Sequence, residues 1–481
     1  MMMPKFVLLW TDVALWALFA ALAWYAWRVL RQPQLRANWL LAARDGATMG
    51  AGAVLALFMM ISALDSVHFR RALPPVPGQV AGTVFYDTHT SSLLDVVLAR
   101  PLTMREASYS APLATHALIK QNYERDGATV REVPRLAFGG AHLDNPERDW
   151  KPDVTRRALT GLGVGVLATV LISVVLALAV ARGREPWPAI WRAIVTGRTR
   201  LPWRVLLVTL GIVALFVGPV VALAGHYHVL GTDRTGNDVL VQSLKSVRTA
   251  FVIGTLSTLA TVPLALVLGV LAGYFKGWVD EGVQYLYTVL TSVPNVLLIA
   301  ACVLMLQVYI DTHAELFDTG LERADLKMFL LCIILGLTGW STLCRLVRAE
   351  TLKLSELEFV QAAEAFGVSH ARTMWRHIVP NVMHLVLITT VLNFSDLILY
   401  EAVLTYVGVG VDPTLNSFGG MINLARTEMS EEPLVWWSFA AAFGFMLALV
   451  LAANLFADGV RDAFDPRARA FRPQRPVHKP V

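Results

Sequence analysis

Nine long apolar runs limit what this chain can fold into more than any other feature. They lie at about 6–27, 47–63, 158–181, 205–224, 249–275, 282–309, 328–346, 382–404 and 434–456. A helix of about 20 apolar residues crosses the hydrocarbon layer of a bilayer. Inside that layer every backbone polar group has to be bonded internally. The runs therefore predict an all-α polytopic membrane protein with about nine transmembrane helices. Composition agrees: 56% of the 481 residues are hydrophobic and 16% are charged, against about 45–50% and about 25% in a soluble chain. The net charge of +5 is spread over the flanks of the runs. That pattern reads as topology in a lipid bilayer and speaks against nucleic acid as a partner.

The flanks also orient the chain. Arg28, Arg31, Arg36 and Arg44 follow the first run. Ala21-Leu22-Ala23 resembles a signal cleavage site, but the charge sits on the wrong side and the run is long enough to span. The first run thus reads as an uncleaved helix with the N-terminus outside. The basic stretches at 28–45, 182–204 and 345–376 then share the cytoplasmic side with the C-terminus. The expected segments are two N-terminal helices (1–63), a mixed-charge extracytoplasmic domain (64–157), a further helix with a basic linker (158–203), a core (204–470) and a basic cytoplasmic tail (471–481). Trp187, Trp191 and Trp203 suit a membrane-surface helix in the linker. Cys302, Cys332 and Cys344 all fall in apolar runs and read as packing residues.

Little in the chain points to chemistry. The 64–157 stretch has no GxSxG, HExxH or paired-cysteine pattern. No Gly-Lys dipeptide occurs anywhere, so the chain has no Walker A loop. His226 and His228 with Asp233 make a sparse set, and no metal site is assigned to them. Pro294, in Ser292-Val293-Pro294, is expected to kink the sixth helix and free a carbonyl. Asp396 and Glu401 lie at membrane depth, where ionisable groups face protein or water. These three are candidates for a translocation path, although for the two acids structural hydrogen bonding is favoured over direct substrate contact. Asp311, Glu315, Asp318, Glu322 and Asp325 form an acidic stretch, read as a solvated loop or as a docking surface. His370, His377 and His384 recur every seven residues, but Pro380 is expected to interrupt that helix and they are taken as unrelated.

Residues 357–381 read LEFVQAAEAFGVSHARTMWRHIVPN. This polar, helix-forming stretch sits between two apolar runs. Ala362, Ala363, Ala365 and Phe366 give it a small apolar face, and Gly367 ends the helix behind them. Such a helix suits a knob that presses into the cleft of another protein. The segment resembles the cytoplasmic coupling loop, the "EAA loop", of ATP-binding-cassette (ABC) importer permeases. The nearest pattern is the C-type subunit of the dipeptide/oligopeptide (peptide/nickel) importers. The matching residues are Phe359-Val360-Gln361-Ala362-Ala363, Gly367 and Arg376-His377-Ile378-Val379-Pro380-Asn381, with Gln361 where the family usually has Glu. Outside the membrane, Leu230 to Leu240 is similar to the family's LGTDxxGRDVL signature through Gly231, Thr232, Asp233, Gly236 and Asp238, with Asn237 in place of Arg. Gly231 and Gly236 allow tight turns there, and Asp233 can cap the short helix that follows. Residues 271–280 resemble LAGYFGGWVD, 401–410 resemble EAxLSFLGLG, 412–420 resemble the PPTPSWG loop with Phe418 for Trp, and 458–467 resemble GDGLRDxLDPR.

The resemblance implies that the last six helices form a type I ABC importer permease core in a bacterial inner membrane. It implies a second permease subunit, two ABC ATPase subunits and a periplasmic substrate-binding protein as partners. It also implies that ATP-Mg is bound by the ATPases, with no cofactor and no catalytic residue on this chain. Substrate would move by alternating access coupled through the 352–381 loop. Di- and oligopeptides are the expected cargo, while nickel chelates or other small solutes use the same pattern. A reading from another class is a membrane-anchored receptor or scaffold acting through the 64–157 domain.

Overall fold

The computed structural model describes residues 5–73, 85–125, 128–181, 187–313, 315, 317 and 319–464. Pro74-Pro75, Arg182, Arg184, Asp318, Asp465-Pro466-Arg467 and the basic tail lie outside the described residues. Strand β1 (Lys5–Val7) leads into α1 (Trp10–Arg31), α2 (Pro33–Ala42) and α3 (Gly46–Asp65). Pro33 opens α2, where its missing N–H has no helical partner to lose. Asp45 caps α3 by accepting the Thr48 N–H at 2.9 Å. Strands β2 (His68–Ala72) and β3 (Tyr86–Ser92), helices α4 (Leu93–Val97) and α5 (Ala99–Thr103) and the hairpin β4 (Gln121–Arg125)–β5 (Ala128–Glu132) follow. β1, β2 and β3 form one antiparallel sheet with Phe6 opposite Phe69 and Phe69 opposite Ser91. Residues before the first span and after the second therefore meet at one end of the bundle.

Helix α6 (Pro146–Ala181) begins well before the expected 158, so the third span rises out of the mixed domain. The linker holds a short helix, α7 (Trp187–Val195), whose Ile190 and Ile194 are buried against α6 and α8 (Trp203–Ala224). Gly161, Gly165 and Gly218 bring the α6 and α8 backbones into contact. A Cβ on Gly218 would lie 2.3 Å from the Gly161 carbonyl oxygen, the small-residue contact by which membrane helices approach closely. After α9 (Val239–Phe275) come α10 (Gly277–Ser292), α11 (Asn295–Thr312), α12 (Gly320–Ser355), α13 (Glu358–Ala365), α14 (His370–Thr373), α15 (Val379–Tyr406), α16 (Phe418–Glu428) and α17 (Trp437–Phe464). Among the described residues, nine helical stretches are long and apolar enough to cross a membrane. Each coincides with one of the nine runs.

Two expectations about proline are corrected. The sixth run is two helices, not one kinked helix. Val293 is extended (φ −94°, ψ 136°) and Pro294 is the N-cap of α11, because a residue before proline is pushed out of the helical region. At the eighth run Pro380 does not interrupt the helix. The helix begins at His370 and passes through Pro380 by a π-helical turn at Met374–Ile378. Proline cannot give its N–H to the preceding turn, and the wider turn accommodates that. The Val379 N–H reaches back to the Met374 carbonyl, and the Asn381 amide donates to the His377 carbonyl at 2.6 Å.

Helix α9 is the centre of the molecule. Val247 and Phe251 pack on Phe418, Trp437 and Leu449, and Val252 and Ile253 pack on Leu15, Ile299, Leu331 and Leu335. At the other end Val270 packs with Trp340, Leu343, Ile378 and Val382. The N-terminal segments are fixed to this core by buried charge. Arg248 of α9 donates to Asp12 at 2.5 Å and to the Thr11 hydroxyl at 2.8 Å, and it lies 3.7 Å from Asp325 of α12. The Thr11 N–H donates to Asp325 at 3.1 Å, and the Thr11 hydroxyl bonds the same carboxylate. His68 Nδ1 lies 2.7 Å from Asp12, and Lys245 pairs with Asp95 at 2.6 Å. The acidic stretch is thus largely engaged within the chain. Asp325 is buried in this cluster, Glu322 pairs with Arg70 at 3.2 Å, and Asp311 pairs with Lys327 at 2.8 Å.

Candidate functional site

The 357–381 segment projects from one end of the bundle between α12 and α15. Val360 is fully buried and seats α13 on its neighbours, while Gln361 and Ala362 face out and Ala363 is half-buried. The helix closes with the Gly367 N–H on the Glu364 carbonyl (2.9 Å) and the Val368 N–H on the Ala363 carbonyl (3.0 Å). This closure needs the left-handed backbone of Gly367, φ +74°. Phe366, just before it, is 88% exposed. The π turn presents Trp375, 74% exposed, together with Arg376. Pro380 is exposed behind it. The His377 ring lies 6.2 Å from Phe359, so the two halves of the loop meet.

The base under this surface is braced from three helices. The Tyr274 hydroxyl pairs with His370 Nδ1 at 2.8 Å, and Lys276 reaches Glu356 at 2.5 Å. Arg348 of α12 makes a two-pronged pair with Asp280 of α10, with Nη2 at 2.6 Å from Oδ2 and Nε on Oδ1. That guanidinium holds the Asp280 carboxyl below the usual carboxylate range. An exposed apolar cluster on a braced, polar-rimmed base has the form of a protein-docking surface.

At the opposite end the 230–240 signature is a clamp, not a free loop. Asp233 was expected to cap a short helix. Instead it closes its own turn, accepting from the Thr235 N–H at 2.8 Å and the Asn237 N–H at 2.9 Å. Asp238 is the cap, accepting the Leu240 N–H at 2.9 Å, and the helix it opens is the long α9. Gly236 has φ +77°, and a Cβ there would lie 1.8 Å from the Glu106 carbonyl oxygen. Gly231 likewise takes positive φ. Thr232 accepts the Ser110 N–H at 2.7 Å, and its carbonyl accepts from the Trp437 indole at 3.0 Å. The signature therefore grips the mixed domain through Glu106 and Ser110, residues that carry no sequence motif.

His228 lies between two carboxylates, 2.8 Å from Asp238 and 3.5 Å from Glu106. Burial opposes its charge, but the hydrogen bond to Asp238 and the nearby Glu106 carboxylate outweigh burial and lift its pKa to about 9. Burial likewise opposes the charge on Glu106. His228 and the N–H groups of Gly139, Phe138 and Ala137 outweigh it and hold the carboxyl down to about 2. His226 points elsewhere, its ring 5.1 Å from His142. His226, His228 and Asp233 thus have separate partners.

The three path candidates separate. Pro294 and Asp396 are exposed on this chain. Glu401 is 2% exposed and faces α16: the Thr405 hydroxyl donates to it at 2.8 Å, and a Cβ on Gly419 would come within 2.9 Å of its Oε1. Glu401 therefore braces a helix junction and lines no open face of this chain.

The sequence profile of the binding-protein-dependent transport system inner membrane component family matches residues 265–470. The oligopeptide transport system permease protein OppC of Mycobacterium tuberculosis is 32% identical over 248 residues, covering 52% of this chain and 79% of that protein. OppC of Haemophilus influenzae is 30% identical over 243 residues, covering 50% of this chain and 71% of that protein. OppC of Bacillus subtilis is 29% identical over 242 residues, covering 50% and 72%. The matched half carries the braced 357–381 surface, and the chain belongs to the binding-protein-dependent transport system inner membrane component family, as a permease component of an ABC importer.

Proposed function

We propose that this chain is the C-type permease subunit of an oligopeptide importer. The 352–381 loop is the seat of an ABC ATPase, and substrate moves by alternating access between this chain and a second permease. The observation that carries the reading is Phe366, an almost fully exposed aromatic on a helix whose base is held by ion pairs from α10 and α12. Closure of two ATPases would push α13. The Arg348–Asp280 pair and the buried Val360 would pass that push to α12 and α10. Pro294 and Asp396, on the exposed side, are proposed to face the path or the partner permease. A periplasmic binding protein delivers the peptide, and ATP-Mg is bound by the ATPases.

In this reading the loop end is cytoplasmic, and the N-terminal strand and the mixed domain are extracytoplasmic. The domain then packs against the 230–240 clamp, which favours a docking role over the free receptor alternative. The test is a gentle-detergent pull-down of the tagged chain from its native membrane, followed by reconstitution in proteoliposomes. The reading expects a second permease and ABC ATPases in the complex, with ATP hydrolysis stimulated by binding protein loaded with oligopeptide. Recovery of the chain without an ATPase would overturn it, and stimulation by nickel chelates alone would replace the cargo.

A further inference from the structure

A groove opens between α6, α7 and α8, remote from the loop and the clamp. Its volume is about 370 Å³. Its wall is apolar along α8 through Leu207, Val208, Ile212 and Leu215, and Ile194 and Val195 of α7 close one side. At a helical rise of about 1.5 Å per residue, the path from Arg204 to Leu215 is about 16 Å long. That is about half the thickness of the hydrocarbon layer, the depth of one leaflet. Gly211 keeps the floor low, since a Cβ there would meet Thr169 at 3.2 Å.

The mouth is cationic. Arg204 lines it, and Arg192, Arg198 and Arg200 lie on α7 and the turn that follows. All four side chains are exposed, and none makes an ion pair among the described residues. From 187 to 232 the sequence holds no Asp or Glu; Glu185 lies outside the described residues. Trp191, also at the groove, is the side-chain type that settles at the headgroup level.

An apolar slot one leaflet deep, closed by an amphipathic helix and with Arg204 at its mouth and three more exposed arginines on the adjoining helix and turn, complements one kind of molecule. We propose that this groove binds an anionic phospholipid, with an acyl chain along Val208, Ile212 and Leu215 and the phosphate at Arg204 and its neighbours. Guanidinium suits phosphate by its planar donor fork. Neutral lipids offer the same chain without the net charge, so selectivity rests on the arginines.

The test uses the full chain in its native assembly, purified in mild detergent and returned to nanodiscs of phosphatidylglycerol or phosphatidylcholine. Native mass spectrometry after delipidation reads bound lipid. The proposal expects a phosphatidylglycerol retained in preference to phosphatidylcholine. Each of Arg200→Gln and Arg204→Gln should weaken that retention about fivefold, the effect of one basic residue near an anionic headgroup. Gly211→Leu, which fills the floor, should displace the lipid while all four arginines remain. Equal retention of the two lipids, or retention unchanged in the arginine variants, would overturn the proposal. So would a cross-link from Val208 to a helix of another subunit with no lipid bound, because the groove would then be a protein interface.

Discussion

At the scale of single residues, the His228–Glu106–Asp238 cluster makes the 230–240 clamp pH-dependent. The folded pKa of His228, about 9, lies above its ordinary 6.5. Its contribution is therefore full below about 6.5 and is lost as pH rises through about 9. Glu106 is shifted the other way, from 4.5 to about 2. Its contribution is full above about 4.5 and is lost as pH falls towards 2. The clamp should be strongest between about pH 4.5 and 6.5. The thermal midpoint of the purified assembly should fall from pH 6.5 to pH 9.5, and His228→Gln should flatten that alkaline slope. An unchanged slope in the variant would show that other groups set it. Gly236→Ala tests the same contact by shape. A left-handed φ and a clash with the Glu106 carbonyl should cost at least about 2 kcal/mol, read as a lowered unfolding midpoint. The glycines of this loop were legible as turn formers. Glu106 was not, because a lone glutamate in a mixed-charge stretch has no pattern that names its partner.

At the scale of elements, the spans were legible because hydrophobic length alone dictates them in a bilayer. What the sequence hid was how proline acts within them. The same residue type separates two helices at Pro294 and is absorbed by a π turn at Pro380. The difference lies in the backbone ahead of each proline: Val293 is extended before Pro294, whereas the helix widens at Met374–Ile378 before Pro380. The knob itself was readable, since Gly367 follows a run of helix formers. Gly367→Val forces a β-branched residue into φ +74°, at a cost of about 1–2 kcal/mol, and should loosen the angle at which α13 is presented. Membrane insertion should persist while peptide-stimulated ATP hydrolysis falls severalfold. Gly367→Asn should keep most of it, because Asn tolerates that backbone region. Equal activity in the Val and Asn variants would remove the role given to this glycine.

At the scale of the whole molecule, buried ions join the N-terminal half of the chain to the half that the family profile matches. In the sequence Asp325 belongs to an acidic stretch. Its partners lie far off in the chain, with Thr11 and Asp325 separated by 314 positions, and no local pattern reports a pair of that range. Arg248→Met leaves Asp12 and Asp325 without their cation and should destabilise the assembly by roughly 3–5 kcal/mol, while converting Arg248, Asp12 and Asp325 together to apolar residues should recover much of the loss. A triple variant no more stable than the single one would mean that the cluster does more than join the two halves.

The central claim, that the 357–381 surface seats an ATPase, is tested most directly by a photo-cross-linker at Phe366 in the native membrane. The account predicts one dominant adduct with an ABC ATPase, whose yield changes when ATP is replaced by a non-hydrolysable analogue. An adduct only with lipid, or with a protein that is not an ATPase, would contradict it.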